Sequence, residues 1–221
     1  MTKGFFSLLT MRPAAVKGLW SPKGLDEYRV HQSLWKVFSE QAGRPRDFIY
    51  REKDETEGAT TPTFYVVSRR APMEDDPFWA VQTKAYAPVL EVGDRLAFNV
   101  RLNATRSQRE AETNKEIRHD AIMHYLKQNE GAPRSEALQE VASTWLGERA
   151  ERCGFKIEGL VVNSWEPRKL TPKGRAPITF NALDLQGLLE VTDVAAFTKV
   201  IFEGLGRSRG FGCGLVMVRR A

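Results

Sequence analysis

Cysteine and histidine are scarce in this chain. Two cysteines, Cys153 and Cys213, stand among 221 residues with no C-x-x-C spacing. That excludes a disulfide framework and a cysteine-built zinc site, and it fits a reducing cytoplasm. Of three histidines, His119 and His124 lie five apart in "RHDAIMHYLK". A helix presents two zinc ligands at i, i+4, so they miss that pattern. No carboxylate cluster suggests a metal site either, and neither metal nor cofactor is expected. Long apolar runs are missing too: nothing approaches the roughly 18 residues that would span a membrane. The run in "MTKGFFSLLTMRP" is too short for a secretory signal and is closed by Arg12 and Pro13. Low-complexity segments are absent. A cytoplasmic protein without membrane contact is expected.

What is present is a folding composition, 42% hydrophobic and 28% charged, with a net charge of +5. The length suits one large domain or two small ones. The positive balance favours an acidic partner, of which nucleic acid is the commonest.

The order of elements is informative. "GFFSLLTM" (4–11) reads as a strand. "LDEYRVHQSLWKVFSEQ" (25–41) reads as a helix with Val30, Leu34, Val37 and Phe38 as its apolar stripe. "DFIYRE", "PTFYVVSRR" and "FWAVQTKAY" read as further strands. This half is β-α-β-β-β, a ferredoxin-like pattern without a clear second helix. The pattern then restarts. "DRLAFNVRLNA" is a strand, residues 106–152 read as charged and helical, and two strands, a helix over 193–205 and a last strand over 213–220 follow. This half is β-α-β-β-α-β, the split βαβ motif. The expected fold is α+β, with two tandem ferredoxin-like (RRM-like) domains, 1–90 and 94–221, and antiparallel sheets.

Three stretches carry chemistry. "GLGRSRGFGCGL" (204–215) follows a helix and leads into a strand. A Walker loop runs the other way and ends in Lys-Ser/Thr, so nucleotide hydrolysis is excluded. One reading is a helix C-cap and tight turn at Gly204 or Gly206. The other is a cradle for an anionic chain, with Gly210, Gly212 and Gly214 allowing close backbone approach and Arg207 and Arg209 supplying charge. In the helix, His31 sits at the edge of the apolar stripe with Tyr28 three residues before it and Trp35 on the same flank. The pair is either core-border packing or acid/base chemistry, since imidazole titrates near neutral pH. "RKLTPKGR" (168–175) joins two strands through a Pro-Gly turn. It is either a solvated tip or a cationic prong for RNA, with Arg168, Lys169, Lys173 and Arg175 as contacts.

These pieces together resemble one family. Gly204, Leu205, Gly206, five residues, then Gly212, Cys213, Gly214 match the glycine signature of CRISPR repeat-processing endoribonucleases. "YRVHQSLWKVF" and "RDFIYR" resemble the first helix and following strand of the CasE family, a subunit of type I-E Cascade complexes. The resemblance implies a metal-independent endoribonuclease that cuts CRISPR precursor RNA within the repeat hairpin. The products would be a 2′,3′-cyclic phosphate and a 5′-hydroxyl. The protein would keep its RNA and join other Cascade subunits, and it would be a monomer when isolated. His31 and Tyr28 fall on the family's catalytic positions, and Lys36 on a basic position near the phosphate. Two other readings stand beside this one: an RNA-binding module without catalysis, with "FFSLL" and "FIYRE" as an aromatic platform, and a structural subunit with an inert His31.

Overall fold

Burial on alternate residues turns the strands into layers. The computed structural model describes residues 3–21, 24–38, 46–54, 61–110, 114–172 and 174–221. Strand β1 (Gly4–Met11) leads through α1 (Pro13–Leu19) and a two-residue pair, β2 (Trp20–Ser21) and β3 (Gly24–Leu25), into α2 (Glu27–Phe38). Then come β4 (Phe48–Glu52), β5 (Thr63–Ser68) and β6 (Trp79–Tyr86). The first sheet has the order β4-β5-β1-β6 with antiparallel neighbours. No helix lies between β5 and β6, as the pattern of this half predicts.

The second half begins with β7 (Arg95–Leu102). After β8 (Thr105–Arg109) and β9 (Glu116–Asp120) come α3 (Ala121–Gln128) and α4 (Arg134–Ala150). The long pair β10 (Phe155–Leu170) and β11 (Ile178–Val191), then α5 (Val194–Glu203) and β12 (Val216–Arg220), complete it. The order β10-β11-β7-β12 is again antiparallel throughout. Counted within each sheet in chain order, both read 2-3-1-4, the order of the ferredoxin-like fold. Two such sheets agree with the expected architecture. Among the described residues no helix is long and apolar enough to cross a membrane.

Two expectations need correction. Residues 106–152 are not wholly helical, because β8 and β9 form a hairpin before α3. Its strands, "TRSQR" and "EIRHD", are almost wholly polar and face solvent. They therefore carry no apolar alternation to announce them. Arg168 and Lys169 do not lie in a loop, because β10 pairs with β11 out to Leu170↔Ile178.

Two cores result. Leu9, Met11, Val30, Leu34, Val37, Phe48, Tyr50 and Trp79 bury α2 against the first sheet. Phe98, Leu102, Trp145, Leu146, Phe197 and Ile201 bury α4 and α5 against the second. Strand β4 belongs to both. Phe48 and Tyr50 face α2, while Ile49 enters the second core with Phe202 and Leu205. That is why "FIYR" is buried at four consecutive positions rather than alternately.

Arg51 continues the same side of β4 into the second sheet. Its guanidinium pairs with Asp184 of β11 at 3.1 Å and donates to Asn99. Arg101 of β7 grips the same carboxylate in a bidentate pair, and Ser164 donates to it at 3.2 Å. Arg51 is only 4% exposed. Removing one member of a buried ionic group leaves the others uncompensated, at a cost of about 3–5 kcal/mol. Asp184→Ala should therefore lower unfolding stability by about that much in urea titrations. Glu116→Ala, which breaks an exposed pair with Arg118, should cost less than about 1 kcal/mol. Equal losses for the two variants would refute the assignment.

Candidate active site

The site forms where the start of α2 meets the loop after α5. Asp26 opens α2: its carboxylate accepts from the main-chain N–H groups of Tyr28 and Arg29, both at 3.1 Å. This holds the first turn, and the apolar stripe predicted for the helix is buried. His31 lies at the stripe's border, half-buried, with Tyr28 and Trp35 on its flank at ring separations of 6.4 and 6.1 Å.

The opposite wall comes from the glycine stretch. Leu205 N–H donates to the Gly214 carbonyl and Gly214 N–H to the Arg101 carbonyl, which ties the loop to β7 at its base. Asn103 donates to Ser208 Oγ at 2.7 Å. A short 3-10 turn, Arg209–Phe211, then presses onto α2. The Phe211 ring is 5.2 Å from the His31 ring. A Cβ added at Gly210 would stand 2.7 Å from Arg46 Nη1 and 3.4 Å from His31 Cε1. Tyr50 Oη donates to the Gly210 carbonyl at 2.8 Å and so latches the loop to β4. Burial holds the Tyr50 phenol protonated.

Electrostatics at His31 follow from this packing. Burial lowers its affinity for a proton below the ordinary histidine value, the Gly210 main chain works the other way, and the Arg46 charge adds to the lowering. The ring is thus neutral at pH 7. Its Nδ1 is buried against the Gly210 main chain. Burial pushes the Cys213 thiol up to about 12, so it is no nucleophile near neutral pH.

The structure gathers some of the predicted residues and separates others. His31, Tyr28 and Gly210 meet at one place, while Arg209, close to Arg46, donates to the Glu203 carbonyl at 2.7 Å, capping α5. Lys36 does not join them. Helix α2 runs unbroken to Phe38, so a residue five positions past His31 is about 140° round the axis, and Lys36 is exposed there. Arg168 is not free, because it pairs with Glu27 at 2.9 Å and fastens β10 to the first turn of α2. Lys169 and Arg175 are exposed at the far end of the β10–β11 hairpin, and Lys173 lies outside the described residues. Gly206 and Arg207 face away from His31, into a cleft beside Trp145.

The glycines serve the loop's own path. Gly212 is buried at φ +75°, with nothing nearer to its missing Cβ than Tyr50 at 3.7 Å. It supplies a left-handed turn that other residues adopt at a cost. Gly214 is left-handed as well, and a Cβ there would strike the Leu205 carbonyl at 2.6 Å.

Arg46, Tyr50 and Phe211 are site residues that sequence reasoning missed. Arg46 begins the quoted "RDFIYR", yet only the approach of the loop places a cation beside His31.

A family model described as CRISPR associated protein matches residues 5–220. The CRISPR system Cascade subunit CasE of Escherichia coli (strain K12) is 23% identical over 197 residues, covering 86% of this chain and 90% of that protein. Among solved structures, Thermus thermophilus Cse3 bound to an RNA representing a pre-cleavage complex superposes with a TM-score of 0.72 at 22% identity, over 99% of this chain and 100% of that one. Cas6e from Escherichia coli K-12 superposes with a TM-score of 0.67 at 20% identity, over 98% and 100%. The structural likeness establishes a shared fold.

The environment of His31 makes a spectroscopic prediction. Its ring proton resonances should titrate with a midpoint below about 6.5, the unperturbed value. Arg46→Gln should raise that midpoint, because it removes a repelling charge. A midpoint unmoved by Arg46→Gln would place the arginine elsewhere. The lowered value also means that His31's contribution to stability is full above about 6.5 and is lost as pH falls through the shifted value.

Proposed function

The chain belongs to the CRISPR-associated protein family, and from that premise we propose that it is a CasE-type endoribonuclease. It cleaves CRISPR precursor RNA within the repeat hairpin and stays with the product as a subunit of a type I-E Cascade complex in the cytoplasm. Residues 1–90 carry the catalytic helix as one domain; residues 94–221 carry the hairpin and glycine loop as the other. The observation that carries this reading is a neutral imidazole walled by Phe211 and the Gly210 main chain, with Arg46 and Tyr28 beside it.

Cleavage of RNA without a metal needs a base for the 2′-hydroxyl, an acid for the departing 5′-oxygen and positive charge at the phosphorane. His31 is the base, since it is unprotonated at neutral pH. Nδ1 is shut against the loop, so the proton passes to Nε2. The freed 2′-oxygen attacks the adjacent phosphorus, a 2′,3′-cyclic phosphate forms, and the bond to the 5′-oxygen breaks. That oxygen takes a proton and leaves as a hydroxyl, with Tyr28 orienting or supplying it. Arg46 and Arg209 meet the developing charge on the phosphoryl oxygens, the task that the resemblance gives to Lys36. The exposed Lys169 and Arg175, with Lys173, follow the backbone of the RNA hairpin.

His31→Ala should lower the single-turnover cleavage rate by about 10²–10⁴-fold while the RNA dissociation constant stays nearly unchanged. A His31→Ala protein that cuts at the wild-type rate would remove the residue from the mechanism. The wild-type rate should persist in EDTA and vanish with 2′-deoxy at the scissile nucleotide. Loss of cutting in EDTA would reject the metal-free reading, and binding without any cleavage would favour an RNA-binding module. With His31 as base, the logarithm of the rate should rise with pH and level off below about 6.5. A rate that falls as pH rises through that region would make His31 the acid.

A further inference from the structure

The β8–β9 hairpin, α3 and α4 are not used by the reaction just described, yet they build a capacious cleft. It measures about 870 Å³ and lies between the β8–β9 hairpin, α3, the end of α4 and the glycine loop at Gly206 and Arg207. Five arginines line it: Arg106, Arg118, Arg149, Arg152 and Arg207. The acids that line it are already engaged. Glu116 pairs with Arg118 at 3.1 Å, Glu148 pairs with Arg149 at 3.2 Å, and Glu140 accepts from Tyr125 Oη at 2.7 Å. Arg106, Arg152 and Arg207 have no carboxylate within 4.0 Å among the described residues. Three guanidiniums outside any ion pair thus line one hollow, Arg207 acting on Glu116 only at longer range and Arg152 donating to Cys153. Arg149 is held in position with its guanidinium 3.9 Å above the Trp145 ring and an N–H donated to the Trp145 carbonyl.

The chemistry of this hollow suits a chain of phosphates better than an apolar peptide. Its wall is polar, and Arg guanidiniums offer forked donors to phosphate oxygens. Its size is in the range that takes a drug-sized molecule, and so a short stretch of single strand rather than a duplex. It also adjoins the proposed RNA site through one loop. Arg207 is only four residues before Phe211, and the same loop that presses Gly210 and Phe211 onto His31 delivers Arg207 to the cleft on its other side.

We infer that the cleft between the β8–β9 hairpin and α4 is a second RNA site that holds the single-stranded flank of the repeat hairpin by its phosphates. The inference rests on the proposed RNA-processing role for the bound hairpin, but the cleft's affinity for single strands can be measured apart from it.

The test uses the full chain and its Arg106→Gln/Arg152→Gln variant, whose two substituted residues are exposed. A urea melt confirms that the variant folds as wild type. The probes are oligouridine and the repeat hairpin, the hairpin carrying 2′-deoxy at the scissile position, with and without a single-stranded flank. Wild type should bind the flanked hairpin more tightly than the bare one. The variant should lose about tenfold or more of that gain and bind oligouridine correspondingly less well. Its log–log salt slope for the flanked hairpin should flatten by about 1.4, at about 0.7 per lost single-strand phosphate. Its affinity for the bare hairpin and its cleavage rate at saturating RNA should not change.

A variant that keeps the full flank gain and the full affinity for oligouridine overturns the inference while leaving the nuclease reading intact. So does a variant that binds every RNA normally but no longer assembles with partner subunits, which would make the cleft a protein contact. Failure of wild type to bind the hairpin, with oligouridine binding still lost in the variant, would instead remove the proposed function and keep the single-strand site.

Discussion

The Asp184 carboxylate is the joint of this molecule. Arg101 grips it from the same sheet and Arg51 reaches it from the other, so one buried anion sets how the two sheets face each other. Desolvating three charges is expensive, and a well-packed apolar replacement can be equally stable. What the ionic joint adds is geometry. A forked guanidinium meets a carboxylate in few orientations, whereas an apolar contact between sheets tolerates sliding.

The site inherits that geometry directly. Tyr50 is the residue before Arg51 and points the other way along β4, toward α2. Its hydroxyl reaches Gly210 because Arg51 has already placed β4 against the second sheet. Arg101, the partner of Asp184, receives the Gly214 N–H at its own carbonyl, so the base of the glycine loop is fixed to the same joint. His31 therefore meets a wall whose position is determined on both sides. The neutral state of its ring is a consequence of that wall, because Phe211 and the loop backbone take away the water that would solvate a charged imidazole.

The glycine loop has two faces, and they divide the charges that sequence places side by side. Arg209 stays beside Arg46, while Arg207 turns to the cleft beside Trp145. Ser208, left-handed at φ 54°, separates the two directions. A single loop in this way lines two separate surfaces, one at His31 and one at the cleft.

Much was legible in the sequence because it is written in local periods. The stripe Val30, Leu34, Val37, Phe38 repeats at the helical spacing, and the two successions of strands and helices point to tandem sheets without any contact being known. His31 and Tyr28 share a flank for the same reason: three residues on a helix are neighbours whatever surrounds them. The misses share a cause. The β8–β9 hairpin is held by backbone pairing between polar segments, which leaves no apolar alternation to read. Arg168 looks free in "RKLTPKGR" because its partner Glu27 is far away along the chain. Lys36 looks close to His31 in sequence, and an unbroken helix turns it aside. Sequence by itself determined most of the elements, the tandem order and the flank shared by His31 and Tyr28, since these depend on contacts a few residues apart. Only the tertiary structure decided that Arg46 rather than Lys36 stands beside His31, that Gly212 serves a turn, and that Arg207 and Arg209 part company. Each of those depends on which surfaces the buried joint between the sheets brings face to face.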